Sequence, residues 1–237
     1  MALTASDSAP GQADAPGWYG KLSALGDFAQ RRLPAHWVRH CDPWLAGLMR
    51  DIPLALGPQW LDIYLTAPVL RFAWAPGVVD MKWWFGVLMP SCDNVGRYFP
   101  LVIAQPRTQP PVDRQGLEHL DRWTTVLARA ALHTLDDAAT VESFEQLLES
   151  APAWPASGAG AIPVPDAANR WQSFNVPATA LSTSISMLAA GELLERLAGC
   201  TLWSAPPAPS YPAQIQWGPG LPSVDLFATM LKAGRGA

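Results

Sequence analysis

Hydrophobic and polar positions alternate in short runs through the first half of the chain. A strand is predicted over 17–22, where Trp18 and Tyr19 supply aromatic β-propensity. Four further strand-like runs are predicted at Leu61–Thr66, Leu70–Ala75, Trp84–Pro90 and Pro100–Gln105. Tight connections between the first three of these runs favour antiparallel pairing. Trp84–Met89 is almost entirely apolar, which predicts a central strand covered on both faces.

A helix is predicted to open at Pro34, between the first strand and the other four. Its apolar stripe consists of Trp37, Cys41, Trp44 and Leu48. Pro43 lies inside this stripe and would remove a helical hydrogen bond. We therefore expect either a kinked helix or two short helices, with Asp42 capping the second. The segment Ser23–Leu33 is predicted to be a loop.

The second half of the chain follows a helical period before it ends in two strands and a helix. One helical stripe is Leu120, Trp123, Leu127 and Ala131, and the next is Val141, Phe144 and Leu148 with Thr140 as N-cap. Residues 151–180 predict an irregular connection, and Leu188–Leu197 predicts a helix that Gly199 ends. The last predicted elements are strands at Thr201–Ser204 and Gln214–Trp217 and a helix carrying Val224, Phe227 and Leu231.

These elements predict an α/β chain, more narrowly α+β, with a single central, mainly antiparallel sheet flanked by helices. A longin- or profilin-like three-layer arrangement agrees with that order. We expect a disordered tail over 1–16 and a single domain over 17–237. That domain has a strand-rich half, 17–105, and a helical half, 106–237, with the short strand–strand–helix ending.

The composition argues against several classes of protein. Of 237 residues, 49% are hydrophobic and 15% are charged, which argues against disorder and against a coiled coil. A net charge of −4 does not favour binding to nucleic acid. The three cysteines are widely spaced, which indicates no disulfide framework. There is no signal-peptide pattern and no apolar run of about 18 residues, so we expect a cytoplasmic protein without direct membrane insertion.

No complete catalytic motif is found. Glycine-rich phosphate loops are absent, and Ser91 lacks the GxSxG elbow of serine hydrolases. His36 and His40 have the i,i+4 spacing of metal ligands beside Cys41, but the glutamate of HExxH is missing. We therefore predict no metal site, no cofactor and no enzymatic activity. A hydrolase that uses Asp27, Asp93 or Ser91 remains an alternative if their loops meet.

Two loops carry the candidate binding residues, because loops held by a rigid sheet are where such residues gather. The candidates are Lys21, Asp27, Arg31, Arg32, Asp93, Arg97 and Tyr98. In one interpretation, Lys21, Arg31, Arg32 and Arg97 form a cationic patch for carboxylates or phosphate on a partner. In the other, the two aspartates cap turns and Arg97 pairs with one of them to hold the loops together.

The same loops closely resemble the TagF family, accessory proteins of bacterial type VI secretion systems. The resemblance lies in Gly20-Lys21-Leu22 and Gly26-Asp27-Phe28, and in the segment from Leu88 to Leu101 that includes Pro90-Ser91, Asp93, Gly96-Arg97 and Phe99-Pro100. It implies a non-enzymatic role, repression of secretion after translation through a forkhead-associated scaffold protein. Other baseplate or signalling components of the system are further candidate partners. A longin- or roadblock-like scaffold of a small GTPase circuit is the alternative that fold analogy offers.

Overall fold

The computed structural model describes residues 15–25, 27–153, 173, 181–206 and 213–233. The strands are β1 (Gly17–Gly20), β2 (Ala29–Arg31), β3 (Leu70–Trp74), β4 (Trp83–Met89), β5 (Leu101–Arg107), β6 (Cys200–Ala205) and β7 (Gln214–Pro219). The helices are α1 (Ala35–Leu56), α2 (Trp60–Leu65), α3 (Arg114–His133), α4 (Val141–Glu149), α5 (Leu181–Arg196) and α6 (Val224–Lys232), with a 3₁₀ turn at Gly57–Gln59. Residues 1–14 of the tail predicted over 1–16, and nearly all of the connection predicted over 151–180, lie outside the described residues.

The described strands form one seven-stranded sheet in the order β2-β1-β5-β4-β3-β6-β7, with every neighbouring pair antiparallel. The predicted single antiparallel sheet is therefore confirmed. β4 lies in the middle of the order and all seven of its residues are buried. Its side chains alternate between two cores: Trp84 and Leu88 face one, whereas Trp83, Phe85 and Val87 face the other.

Helices cover both faces of this sheet, which gives the three-layer arrangement expected from the sequence. On the first face, α1 packs with α2 and α6. An aromatic group fills this core, where Trp37 stacks on Trp74 with ring centroids 5.7 Å apart and Phe72 stacks on Trp74 at 4.4 Å. On the second face, α3 packs on α4 and against β4 and β5. None of the helices in the described ranges combines the length and the apolar composition that a bilayer crossing needs.

Two of the predicted elements differ from the structure. The run Leu61–Thr66 is predicted as a strand, but Leu61–Leu65 lies in helix α2. Its apolar residues Leu61, Ile63 and Leu65 alternate as in a strand, whereas the side chains that the structure buries, Ile63 and Tyr64, lie on one helical face with Trp60. A six-residue apolar window cannot distinguish the two periods. The segment Ser23–Leu33 was predicted to be entirely loop, yet Ala29–Arg31 pairs with β1 as an edge strand.

Helix α1 runs through Pro43 without interruption, so the alternative of two short helices is wrong. Pro43 lies on the exposed side of α1, where the carbonyl that it leaves unpaired can bind water. The opposite side buries Trp37, Cys41 and Leu45, and this burial offsets the cost of the proline. Asp42 does not cap a helix: its carboxylate accepts a hydrogen bond from the Tyr19 hydroxyl.

The predicted helix starts and the terminal elements are mostly confirmed. Thr140 caps α4 in a reciprocal capping box with Ser143. The helix predicted at Leu188–Leu197 begins earlier, at Leu181, and Gly199 follows it with a φ of 71°. The two strands and the helix of the ending are β6, β7 and α6.

The centre of the sheet leaves no room for a side chain at Gly86. A Cβ atom there would lie 2.0 Å from the Ile103 carbonyl oxygen and 2.7 Å from Cζ of Phe72. We expect Gly86→Ala to lower the free energy of unfolding by about 1–3 kcal/mol, because strands β4 and β5 must shift apart. Urea unfolding measures this loss.

Gly47→Ala is the matched control. Gly47 lies inside α1, and the nearest atom to an added Cβ there is the flexible end of Arg50 at 4.0 Å. Alanine favours a helix over glycine by about 1 kcal/mol, so this variant should be more stable than the wild type. Equal stability of the two variants would contradict the close packing inferred at Gly86.

Candidate functional site

The two loops that carry the candidate residues meet at one end of the sheet, around the buried carboxylate of Asp93. Lys21 follows β1, and its ammonium lies 2.6 Å from Oδ2 of Asp93. Arg97 reaches the same oxygen through Nε at 2.7 Å. Lys21 is only 3% exposed, so this ion pair is removed from water. A carboxylate shared by two cations therefore joins the β1–β2 loop to the β4–β5 loop.

The other oxygen of Asp93 shapes the β4–β5 loop itself. Oδ1 accepts the main-chain N–H groups of Val95 at 3.1 Å and Arg97 at 2.9 Å. The Gly96 N–H donates to the Asp93 carbonyl at 3.1 Å, which closes a turn whose left-handed residue is Gly96, with a φ of 79°. Just outside this turn, Cys92 and Tyr98 form an isolated antiparallel bridge.

These contacts decide the charge of Asp93. Burial of the carboxylate opposes ionisation, but hydrogen bonds from the Lys21 side chain and from the Arg97 main chain and side chain outweigh it, so the pKa of Asp93 lies well below its usual value. Four donors occupy its two oxygens, which is about the full accepting capacity of a carboxylate. Asp93 therefore has no free lone pair with which to act as a general base.

Ser91 and Tyr64 fasten the start of the same loop to the core. The Ser91 hydroxyl donates to the Lys21 carbonyl at 3.0 Å. The Tyr64 hydroxyl donates to the Ser91 carbonyl and accepts the Ser91 N–H, both at 3.1 Å. Tyr64 is buried in α2, and burial raises the pKa of its phenol. The Ser91 hydroxyl thus ties two loops together and is not aligned as a nucleophile.

The Lys21 ammonium lies against Phe28, which packs with two further aromatic rings. The ammonium lies 4.6 Å from the ring centroid of Phe28, in cation–π contact. Phe28 packs edge-on against Phe99 with centroids 4.8 Å apart, and both contact Tyr19. Phe28 is half exposed, so it forms the outer wall of the ion cluster.

The remaining candidates lie apart from Asp93. Asp27 is exposed, and its carboxylate accepts the N–H of the next residue, Phe28, at 2.8 Å, as expected of a turn aspartate. Tyr98 packs edge-on against Trp60 and Tyr64, with centroids 5.6 and 6.0 Å apart. Tyr98 therefore anchors the β4–β5 loop to α2.

Arg31 and Arg32 converge on a carboxylate that the sequence did not single out, Glu145 of α4. Arg32 contacts Glu145 at 2.6 Å and Arg31 at 3.7 Å, while the Trp18 indole N–H donates to the same side chain. Arg32 and Glu145 are 113 residues apart in the chain, and no local pattern signals such a pair. The proposed patch of four cations is thus divided between two carboxylates, and Lys21 is not on the surface.

The tip of the β4–β5 loop is exposed at this end of the sheet, as are Asp27 and Phe28 of the β1–β2 loop. Val95 is 68% exposed, and Asn94 and Gly96 beside it are also exposed. More than half of the Arg97 side chain is open to solvent although its Nε binds Asp93. The apolar side chain of Val95 and the cationic side chain of Arg97 are thus exposed on a turn whose conformation the buried Asp93 carboxylate stabilises.

Of the residues considered as metal ligands, His36 and Cys41 have other surroundings. His36 Nε2 lies 2.8 Å from Oδ2 of Asp80. Cys41 is fully buried in the α1 core, and burial raises the pKa of its thiol. Over the described ranges, no group of three or more His, Cys, Asp or Glu side chains is arranged to hold a metal ion.

The fold and the loop cluster define a three-layer α/β domain with a turn clamped by ion pairs at one end of its sheet. The family model "TagF N-terminal domain, Type VI secretion system-associated" matches residues 17–151, which contain both loops. The chain belongs to this family and is a type VI secretion system-associated protein.

A solved structure agrees with this assignment. The crystal structure of PA0076 from Pseudomonas aeruginosa PAO1 is similar to this chain with a TM-score of 0.73 and 35% sequence identity. The match covers 94% of this chain and 96% of that one. No curated protein matches the chain.

The lowered pKa of Asp93 predicts how acid affects stability. A carboxyl group whose pKa falls on folding contributes stability above its unfolded pKa, about 3.9, and loses that contribution as the pH falls through the folded value. Asp93→Asn lacks this contribution at every pH. We therefore expect wild type to exceed Asp93→Asn in unfolding free energy by a constant amount above about pH 5, and the gap to shrink toward pH 2.

Urea unfolding of both proteins at a series of pH values measures this gap. A gap that stays constant from pH 6 to pH 2, or that widens in acid, would show that the two cations do not favour the ionised carboxylate.

Proposed function

We propose that this chain is a non-enzymatic regulatory accessory protein that represses type VI secretion after translation, in the cytoplasm, by binding a forkhead-associated scaffold protein. Membership of the family supports the association with the secretion system. The family resemblance of the two loops motivates the repressor role and the scaffold partner. Baseplate or signalling components of the system are further candidate partners, whereas nucleic acid and a bilayer interior are not.

The observation that carries this proposal is the exposed turn Asn94–Arg97 on a rigid support. An interface residue that is already ordered loses less conformational entropy on binding, so a preorganised turn binds more tightly than a loose one. Asp93, Lys21 and Tyr64 hold the turn through buried contacts. Val95 supplies an apolar contact and Arg97 a cation, and arginine is enriched at interfaces.

A regulatory role without catalysis agrees with the chemistry of the cluster. A general base needs a free lone pair near a substrate, and a nucleophile needs a base within hydrogen-bond reach. The oxygens of Asp93 are occupied, and the Ser91 hydroxyl donates to the Lys21 main chain. The carboxylate of Asp27, the third residue of the hydrolase alternative, is engaged by the main chain of Phe28. Each of these groups has a structural partner.

The test is affinity capture of the cognate forkhead-associated protein with a Val95→Glu variant. The Val95 side chain is exposed, and only its main-chain N–H takes part in the turn, so the variant should fold like the wild type. We expect at least roughly tenfold weaker capture, because a charge replaces an apolar contact at the interface. In the host, the variant should also fail to repress secretion, measured from the culture supernatant.

Met81→Glu is the matched control. Met81 is at least as exposed as Val95 but lies in the turn between β3 and β4, at the opposite end of β4. It should bind and repress like the wild type. If Val95→Glu, shown to be folded by circular dichroism, still captures the partner at wild-type strength, the turn is not the interface. If the wild type captures no forkhead-associated protein, the partner is wrong.

A further inference from the structure

The two edges of the sheet differ in how well they are protected against pairing with another strand. β2, at one edge, is three residues long and ends at Arg31. Arg32 follows it in a left-handed conformation, with a φ of 60°, and both arginines bind Glu145. β7, at the other edge, is six residues long and carries no charged side chain. Short length, charge and twist protect an edge, and β7 lacks the first two of these.

The register of β7 shows which of its main-chain groups face outward. The Gly220 N–H donates to the Gly199 carbonyl at 2.7 Å, just beyond the end of the β6–β7 ladder. Hydrogen-bonded and non-hydrogen-bonded pairs alternate along an antiparallel ladder. Ile215, Trp217 and Pro219 therefore occupy the non-hydrogen-bonded positions, and their main-chain groups point away from β6. Pro219, which has no N–H, fits such a position without the loss of a hydrogen bond to β6.

The side chains of the same residues are also unburied. Ile215 is 69% exposed and Trp217 is 65% exposed. Successive residues of a strand point to opposite faces, so these two lie on one face and Gln214 and Gln216 on the other. A large aromatic side chain in this position is of the type that dominates binding energy at protein interfaces.

We propose that β7 pairs with β7 of a second copy of this chain, antiparallel and about a two-fold axis at Gln216. In this register Ile215 of each copy lies opposite Trp217 of the other, on the same face. Each such pair exchanges both of its main-chain hydrogen bonds, and it brings together a β-branched and an aromatic side chain, a favourable cross-strand combination.

The absence of charge on β7 favours a second copy as the occupant. A two-fold axis at Gln216 places every β7 residue opposite a residue of the same strand from the other copy, so a strand carrying charges of one sign would face like charges. β7 consists of glutamine, isoleucine, tryptophan, glycine and proline, so pairing with a second copy brings no like charges together. The pairing is independent of the proposed scaffold partner, because β3 and β6 lie between β7 and β4, the strand that leads into the exposed turn.

Size-exclusion chromatography with light scattering tests this pairing, and Ile215→Pro is the decisive variant. Proline removes only the outward N–H of residue 215, so the ladder to β6 stays intact. We expect the wild type to have the mass of two chains at micromolar concentrations and Ile215→Pro to have the mass of one. Ile215→Ala, which keeps the N–H, should still dimerise, with a dissociation constant raised by roughly tenfold or less.

Trp217→Glu provides a second variant in case Ile215→Pro does not fold. It places a charge on the edge while the main chain remains able to pair, and it should be monomeric. A wild type with the mass of one chain up to about 0.2 mM would overturn the proposal. The proposal would also be overturned if Ile215→Pro or Trp217→Glu folds and still forms the dimer. Capture of the forkhead-associated protein is measured separately, so failure of either proposal can be distinguished from failure of the other.

Discussion

The buried ion pair between Lys21 and Asp93 is the constraint on which the conformation of both loops at this end of the sheet depends. Removing two charges from water is costly, and a buried pair is stable only when its remaining hydrogen-bonding capacity is also satisfied. Here Arg97 and two main-chain N–H groups complete the carboxylate. The same contacts fix the conformation of the β4–β5 turn and join it to the β1–β2 loop. The conformation of the two loops therefore depends on the ion pairs.

The sheet supplies the rigid frame that this cluster requires. Gly20 ends β1 with a φ of 135°, and a Cβ there would lie 2.1 Å from the Pro100 carbonyl oxygen, so only glycine lets the two loops approach this closely. Burial of β4 on both faces holds the start of the second loop in place. Lys21, Ser91 and Asp93 at this end of the sheet are therefore buried anchors, and the small turn that they support is exposed.

Two clusters of charged groups join segments that are distant in the chain, and they do so at different places. Asp93 organises the exposed turn, whereas Glu145 joins the edge strand β2 and the start of β1 to helix α4. The second cluster also protects the β2 edge, because its arginines are held at the end of a short strand. The opposite edge has no equivalent protection among the described residues. The two edges of the sheet thus differ in length and in charge.

The local sequence pattern was sufficient to predict the antiparallel sheet, the central position of β4 and the helix capped by Thr140. These features depend on the hydrophobic period and on turn residues, which act over a few positions of the chain. The local pattern failed at Leu61–Thr66, where a short apolar window fits either period, and at Pro43, whose cost is offset by distant core contacts. For the site, the sequence by itself marked Lys21, Asp93 and Arg97 through their family resemblance. Only the tertiary structure decided that Lys21 is buried, that Arg31 and Arg32 pair with Glu145, and that Val95 is exposed, because burial and ion pairing join residues that are far apart in the chain.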